Sequence, residues 1–408
     1  MVNNAWKTVT LSSIGTFQKG SGISRAESNS GALPAVRYGE LYTVHNNYVR
    51  KYTSHISHEV ASKALRVHCG DILFACSGET KEDIAKCAAI IDDSEVYAGG
   101  DIIVLSPTTK VDPIFLGFVL NTQDVIQQRA QKAQGDAIVH ISTDSIKSIE
   151  IAMPEYSEQV KIAKALYDID TLIVNVEKLI AKKKAIKQGA MQELLTGKRR
   201  LPGFTEEWKI NKIGAFGEFV SGSCFPLAYQ GKQGERYPFY KVSDFNNPGN
   251  ERNLNQANNY ISPDTADYLG CKIIPEKAIV IAKIGAAIFL ERKKLTTVCC
   301  CIDNNMMAFV PFDVRSAQFI CYVFQSMKLG ELAEATALPS LSGKTICSVE
   351  RKFPQTIEEQ MSIATVLADM DSEIDVLSEK LSKYRMIKSG MMSELLTGQI
   401  RLIDKEDA

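Results

Sequence analysis

Residues 192–201 read QELLTGKRRL, and residues 393–402 read SELLTGQIRL. Walking back from both phrases in register, 158–201 faces 359–402 with about 20 identities in about 44 positions and no gap, the mark of an internal duplication. WKTVTLSSIGTFQKGSG from Trp6 likewise faces WKINKIGAFGEFVSGSC from Trp208, sharing Trp6/Trp208, Lys7/Lys209, Gly15/Gly217, Phe17/Phe219 and Gly20/Gly222. SIKSIEIAMP (145–154) faces TICSVERKFP (345–354). The whole chain is a tandem duplication. The ends of the unit are alike and its middle is not: YGELYTVHNNYVRKY and YKVSDFNNPGNERNL share little beyond outline. Two halves have kept a scaffold and changed what sits on it.

The alike part has a helical period. Ile162, Leu166, Ile169, Ile173, Val176 and Ile180 alternate spacings of four and three, as do Ile363, Leu367, Met370, Ile374, Leu377, Leu381, Tyr384, Met391 and Leu395. This is a heptad seam. Each helix follows a proline, with Ser157 and Thr356 as expected N-caps, and each ends at Thr-Gly, with Gly197 and Gly398 suited to a left-handed position just past the helix. A helix of nearly forty residues spans about 55–60 Å at ~1.5 Å per residue. The second variable region begins where the first helix ends and finishes where the second begins, so two helices that pair must run antiparallel. The expected fold class is α+β: two variable domains alternate with two long helices that pair as an antiparallel coiled coil, in a pseudo-two-fold chain. The expected boundaries are 1–154 for the first domain, 155–198 for the first helical region, 199–354 for a linker and the second domain, 355–402 for the second helical region, and 403–408 for a tail.

The chain has 408 residues, enough for two domains or more. Its net charge is −1, whereas a dedicated nucleic-acid binder is more often basic; any basic surface is local or supplemented by a partner. No apolar run is long enough to span a bilayer, and MVNNAWKTVT lacks a signal pattern. The ten cysteines carry no paired C-x-x-C, so reduced, mostly buried thiols and a cytoplasmic protein are expected, without zinc. TTVCCCIDNN reads as a strand.

A pseudo-two-fold chain with two different heads suits a target with two different sites, such as a split sequence in double-stranded DNA. The pattern EQxxIAxxLxxxD, then ELLTGKRRLPGF followed by EEWK, resembles the specificity subunit of type I restriction-modification systems over essentially the whole chain. The resemblance implies a non-catalytic subunit that reads a bipartite DNA target, one half per recognition domain. It implies docking of two modification (methyltransferase) subunits on the helices, with restriction subunits joining in the full complex. No cofactor and no membrane partner are implied. The methyltransferase subunits would share the phosphate contacts, which makes near-neutral charge tolerable.

Enzymatic alternatives are poorly supported by the residues. Phe17–Gly22 imitates an adenosylmethionine loop poorly, and Asn246-Asn247-Pro248-Gly249 is a turn. Gly343-Lys344-Thr345 lacks the earlier glycine of a phosphate loop, since Leu338 stands there. Asp71, Glu79 and Lys81 mimic a nuclease metal site that the second copy does not repeat; a strand, DILFACS, followed by a turn is the plainer reading. A coiled-coil scaffold without sequence-specific DNA reading is the competing function.

Within each head four loops recur: QKGSGISR with VSGSCFP, VRYGELY with FYKVSDF, CSGETK with KIGAA, and QGDAIVHIS with ATALPSLSGK. They carry residue types that touch base edges and phosphates, though each is also readable as an ordinary solvated loop. The candidate DNA contacts are Arg25, Arg37, Tyr38, Lys81, Tyr240, Lys241, Lys283 and Lys344. The basic run from Lys182 to Arg200 faces either phosphates or solvent.

Overall fold

The computed structural model describes residues 6–334 and 337–402. The start of ATALPSLSGK at Ala335 and Thr336, and the tail 403–408, lie outside the described residues. The fold is mixed helix and strand in two compact units, one of 6–177 with 379–402 and one of 178–378.

In the first unit the ends of the repeat find each other. Lys7–Thr10 pairs antiparallel with Glu150–Met153, so the Trp-Lys opening is joined to the stretch before the helix. The main sheet has the order Gly15–Lys19, Ile102–Pro107, Ile72–Ala75, Cys87–Ala89, Asn47–Tyr48. Its last pair is parallel and the others antiparallel. The inner strands Ile72–Ala75 and Cys87–Ala89 are buried on both faces, which explains the near-continuous apolar runs ILFA and CAAI. A second sheet has the order Ser54–Ile56, Leu33–Val36, Val96–Ala98, Leu65–Val67. The helix Pro113–Val119, capped by Asp112 with proline at its start, packs Phe115 and Phe118 into the core with Ile162 and Leu166.

The second unit repeats this plan. Lys209–Lys212 pairs with Glu350–Phe353. The main sheet runs Gly217–Ser221, Met306–Pro311, Ile279–Ala282, Lys293–Thr296, Asn253–Leu254, and the second sheet Tyr260–Ile261, Tyr237–Tyr240, Cys301–Ile302. The cysteine triplet enters a strand only at Cys301; Cys299 is exposed and Cys300 buried. Of the ten thiols, Cys76, Cys87, Cys300, Cys301 and Cys321 are buried, while Cys69, Cys224 and Cys299 are exposed.

Two 39-residue helices, Tyr156–Leu194 and Ile357–Leu395, each give residues to both units. The seam is the buried stripe: Ile162, Leu166, Ile169, Ile173, Val176 and Ile180 are all buried, as are Ile363, Leu367, Ile374 and Leu395, with the remaining seam residues half-buried. Gly197 and Gly398 have φ of +70° and +69°, the left-handed geometry glycine adopts freely. Thr356 accepts from the Glu359 amide at 3.4 Å and so acts as a cap. Ser157 does not: it lies inside the first turn, and the Glu155 carbonyl takes the amides of Glu158 and Gln159. The helix therefore begins at Tyr156, one residue before Ser157, too early for its hydroxyl to cap.

The repeated closing phrase has a mechanical role. In the first unit Arg401 of the IRL stretch donates from Nε and Nη2 to both carboxylate oxygens of Glu158 at 2.7 Å, and the Leu402 amide adds a third bond at 3.2 Å. In the second unit Arg200 of the RRL stretch does the same to Glu359 at 2.6 and 2.9 Å, and Trp208 Nε1 adds a bond at 3.1 Å. Each phrase fastens the end of one long helix to the start of the other. Further ion pairs join the helices within each unit: Asp170 to Lys388 and Glu177 to Arg385 in the first, Lys183 to Glu373 and Lys187 to Asp371 in the second. In both units the partners' numbers run in opposite senses.

Candidate nucleic-acid interface

The four recurring loops are drawn to one edge of each head by a chain of backbone hydrogen bonds centred on the start of the strand after Gly99-Gly100-Asp101. Gly20 N–H donates to Ile102 O at 2.8 Å, Gly100 N–H to Gly22 O at 2.9 Å, and Gly99 N–H to Val36 O at 2.9 Å. Cys76 N–H donates to Asp101 O at 2.9 Å, and Ile141 N–H to Cys76 O at 3.1 Å. The first, second, third and fourth loops are thereby tied together in turn. Ser77 Oγ and His140 Nδ1, 2.9 Å apart, add a side-chain link between the third and fourth.

The second head builds the same junction from different residues. Gly222 N–H donates to Met306 O at 3.1 Å, Asp303 N–H to Tyr240 O at 3.0 Å, Lys283 N–H to Asn305 O at 2.8 Å, and Leu341 N–H to Lys283 O at 2.9 Å. Gly20 and Gly222 are shared for a steric reason. A Cβ on Gly20 would sit 2.1 Å from Gly99 O, and one on Gly222 would sit 1.9 Å from Asp303 O. Backbone approach at this point admits no side chain.

These bonds correct the sequence register in the second loop. Val36 and Tyr240 occupy the same place, as do Arg37 and Lys241. The Arg37 amide donates to Glu40 Oε2 at 2.8 Å, and the Lys241 amide donates to Asp244 Oδ2 at 2.7 Å. Each acidic side chain caps the first turn of a short helix opened by the basic residue. Tyr240 consequently drops out of the contact set: it is fully buried, and its hydroxyl donates to Leu254 O at 3.0 Å.

The other candidates divide into two groups. Arg37, Tyr38, Lys241 and Lys283 stand at the junction; Tyr38 is 41% exposed, and Arg37, Lys241 and Lys283 are half-buried. The Lys241 ammonium donates to Gln230 Oε1 at 3.0 Å. Arg25 and Lys81, on turns, and Lys344, in the short helix Gly343–Cys347, are exposed at the flanks. The basic run is largely spent on protein partners, with Lys183, Lys187 and Arg200 paired as above and Arg199 near Glu193. Lys183 and Lys187 lie on a helix whose neighbour presents Glu373 and Asp371, and Arg200, past the helix end, meets Glu359, so these three meet carboxylates first.

Sequence reasoning passed over Asp101 and Asn305, whose carbonyls anchor the third loop, and His140, exposed at the fourth. Asp101 takes φ of +58°, which a sequence does not announce for a non-glycine. Burial holds the Asp303 carboxyl above the usual carboxylate range, so the second junction carries a weakly ionising acid where the first has Gly99. Asp71, a member of the nuclease-like triplet, uses its carboxylate to accept the His68 amide at 2.8 Å. Among the described residues no three His, Cys, Asp or Glu side chains gather to hold a metal, and no helix is long and apolar enough to cross a membrane.

The comparisons agree with this duplicated plan. The sequence matches the type I restriction modification DNA specificity domain twice, over residues 3–188 and 205–383. It is 25% identical over 370 residues to a putative type I restriction enzyme MjaX specificity subunit of Methanocaldococcus jannaschii, covering 86% of this chain and 83% of that one. It is 23% identical over 414 residues to the MjaVIII specificity subunit of the same organism, covering 91% and 90%. The fold is similar to the crystal structure of the type I restriction-modification S subunit from M. genitalium, with TM-score 0.64, 15% identity and coverage of 97% and 96%. A chain from a structural study of complex assembly and conformational transition in the type I R-M system gives TM-score 0.57, 16% identity and coverage of 98% and 100%. With two matched copies spanning most of its length, the chain belongs to the type I restriction modification DNA specificity domain family.

Proposed function

We propose that this chain is the non-catalytic sequence-specificity subunit of a type I restriction-modification complex. Each head reads one half of a split DNA target with its four-loop edge. One observation carries the reading: the same hydrogen-bonded junction is built twice, on the same sheet position, from different side chains. A scaffold held constant while the exposed residues change is what two different half-sites require, because backbone contacts position and base contacts specify. Arg37, Tyr38, Lys241 and Lys283 are the central proposed contacts, with Arg25, Lys81 and Lys344 reaching phosphates at the flanks.

The long helices act as the ruler between half-sites, paired as an antiparallel coiled coil. The opposed order of the ion pairs within each unit supports that pairing. Two modification subunits dock on the helices, and restriction subunits complete the assembly, in the cytoplasm. The domain boundaries proposed are 1–154 and 199–354 for the heads, with 155–198 and 355–402 as helical regions. The test is a long-read methylation map of the source cell with and without this gene. Loss of methyladenine from one split motif on deletion is the expected result. An unchanged map together with no sequence preference in DNA binding by the purified complex would overturn the reading in favour of a coiled-coil scaffold.

A further inference from the structure

Beside Glu158 and Glu359, each unit clamps a further carboxylate at an equivalent place in the repeat. In the first, Asp170 on the first long helix lies 2.6 Å from Lys388 Nζ of the second helix and 3.0 Å from Arg50 Nη2 of the head. Tyr48 Oη, also from the head, donates to it at 3.3 Å, and Arg50 bonds to the same phenol. In the second, Asp371 on the second long helix lies 2.6 Å from Lys187 Nζ of the first helix and accepts from Tyr322 Oη at 2.7 Å, while Arg252 Nη2 of the head lies between it, at 3.5 Å, and Asp375 one turn on, at 3.0 Å. Asp170 and Asp371 are repeat equivalents, and so are Lys388 and Lys187.

The head-side members are not copies. Lys187 lies over the ring of Tyr322 at 5.1 Å, and Lys388 lies over Phe118 at 5.4 Å on the corresponding core helix. Phe118 has no hydroxyl to offer, and the first head supplies the phenol from Tyr48, in a strand instead of the core helix. Two diverged heads thus bring the same two groups, an arginine and a phenol, to a carboxylate that the opposite helix meets with an equivalent lysine. The Asp170 and Asp371 side chains are only 10% and 14% exposed. An apolar contact of the same volume would serve stability as well or better, so stability alone does not account for these charges.

Building on the proposed function, we infer that Asp170 and Asp371 are positioning residues that fix the angle of each recognition head on its helix, and so set the fidelity of the spacer length between the two half-sites. Apolar packing lets a head rock by small side-chain adjustments. A three-way charged bond between head, own helix and opposite helix is directional and opposes that motion.

The test uses the full chain. Nitroxide labels on native Cys69 of the first head and on Leu172→Cys of the helix, with Cys224→Ser and Cys299→Ser, report the head-to-helix distance distribution by pulsed electron resonance. Asp170→Asn keeps shape and removes charge, and is expected to broaden that distribution; Asp170→Glu restores a narrow one. If Asp170→Asn fails to fold, Arg50→Gln cuts the same link from the head side. The chain is then co-expressed with its modification subunits on plasmids carrying the mapped half-sites at graded spacings. Relative methylation of a spacer one base pair too long or short is expected to rise about tenfold, the equivalent of about 1.4 kcal/mol of lost positioning, with the half-site bases unchanged. An unbroadened distribution overturns the inference. Broadening without a change in spacer tolerance overturns its link to spacing and leaves the split-target reading standing. A wild-type chain that modifies no split motif overturns that reading itself, while the distance measurement still decides whether the clamp holds the head.

Discussion

Replacing Glu359 by alanine tests the role given to the repeated closing phrase. Its carboxylate is 1% exposed and accepts three bonds, at 2.6 and 2.9 Å from Arg200 and 3.1 Å from Trp208 Nε1. Alanine leaves an arginine and an indole N–H without their acceptor in a closed setting. Removing one partner of a buried pair costs about 3–5 kcal/mol. The Arg200 side chain is 27% exposed, so water recovers part of this and the lower end, about 3 kcal/mol, is expected. Trp6 and Trp208 are the two tryptophans, and a Trp6→Phe background reports the second unit alone by fluorescence. With a urea dependence of about 2 kcal/mol per M, the midpoint should fall by about 1.5 M. Glu193→Ala is the control: its pair with Arg199 is 3.7 Å long and exposed, worth less than about 1 kcal/mol. Equal shifts for Glu359→Ala and Glu193→Ala, or full additivity of Glu359→Ala with Arg200→Ala, would refute the reasoning, since contacting partners couple by about 0.5–3 kcal/mol.

Other outcomes follow from the same structure. Gly197→Ala should destabilise by about 1–2 kcal/mol, because φ is +70° and a Cβ would stand 3.0 Å from the Trp208 ring, whereas Gly189→Ala, in open helix, should stabilise by about 0.5–1 kcal/mol; calorimetry of the two variants shows opposite signs. Lys283→Ala and Arg37→Ala should each weaken DNA binding and lower the slope of log affinity against log salt by about one where the side chain meets a phosphate; an unchanged slope and affinity removes that residue from the interface. Asp303 has a native pKa raised by burial, so its contribution to stability is present below the ordinary carboxylate value of about 4 and is lost as pH rises through the raised native value. Asp303→Asn should therefore flatten the dependence of the urea midpoint on pH over that window, and an unaltered profile contradicts the assignment.

Much of the scaffold was legible because it is periodic or repeated. The seam from Ile162 to Ile180 repeats at helical spacing, and a repeat within one chain needs no second sequence to be seen. Gly197 and Gly398 were readable because a helix end with a left-handed residue has one favoured occupant. The contact edge was legible as four loops but not in register. Tyr38 and Tyr240 look alike beside Gly and Lys, yet the hydrogen bonds from Gly99 and Asp303 put Val36 and Tyr240 in one place. The side-chain alternation of a strand turns a one-residue slip into an exchange of buried for exposed, which is why, of the two neighbouring candidates, Tyr240 is buried and Lys241 stands at the edge.

The sequence by itself determined the duplication, the two long helices with their apolar stripe, and the division into alike ends and differing heads, because local period and self-similarity are properties of the chain order. Only the tertiary structure decided which charges meet. In the sequence Arg200 is one member of a basic run, Arg401 one letter of the repeated phrase, and Asp170 and Asp371 polar letters beside the heptad seam. Each finds its partner across 100 residues or more, or, for Tyr322 and Asp371, from a neighbouring core helix. Coulomb and hydrogen-bond energies depend on separation in space to within a few tenths of an ångström, and nothing in the linear order carries that distance.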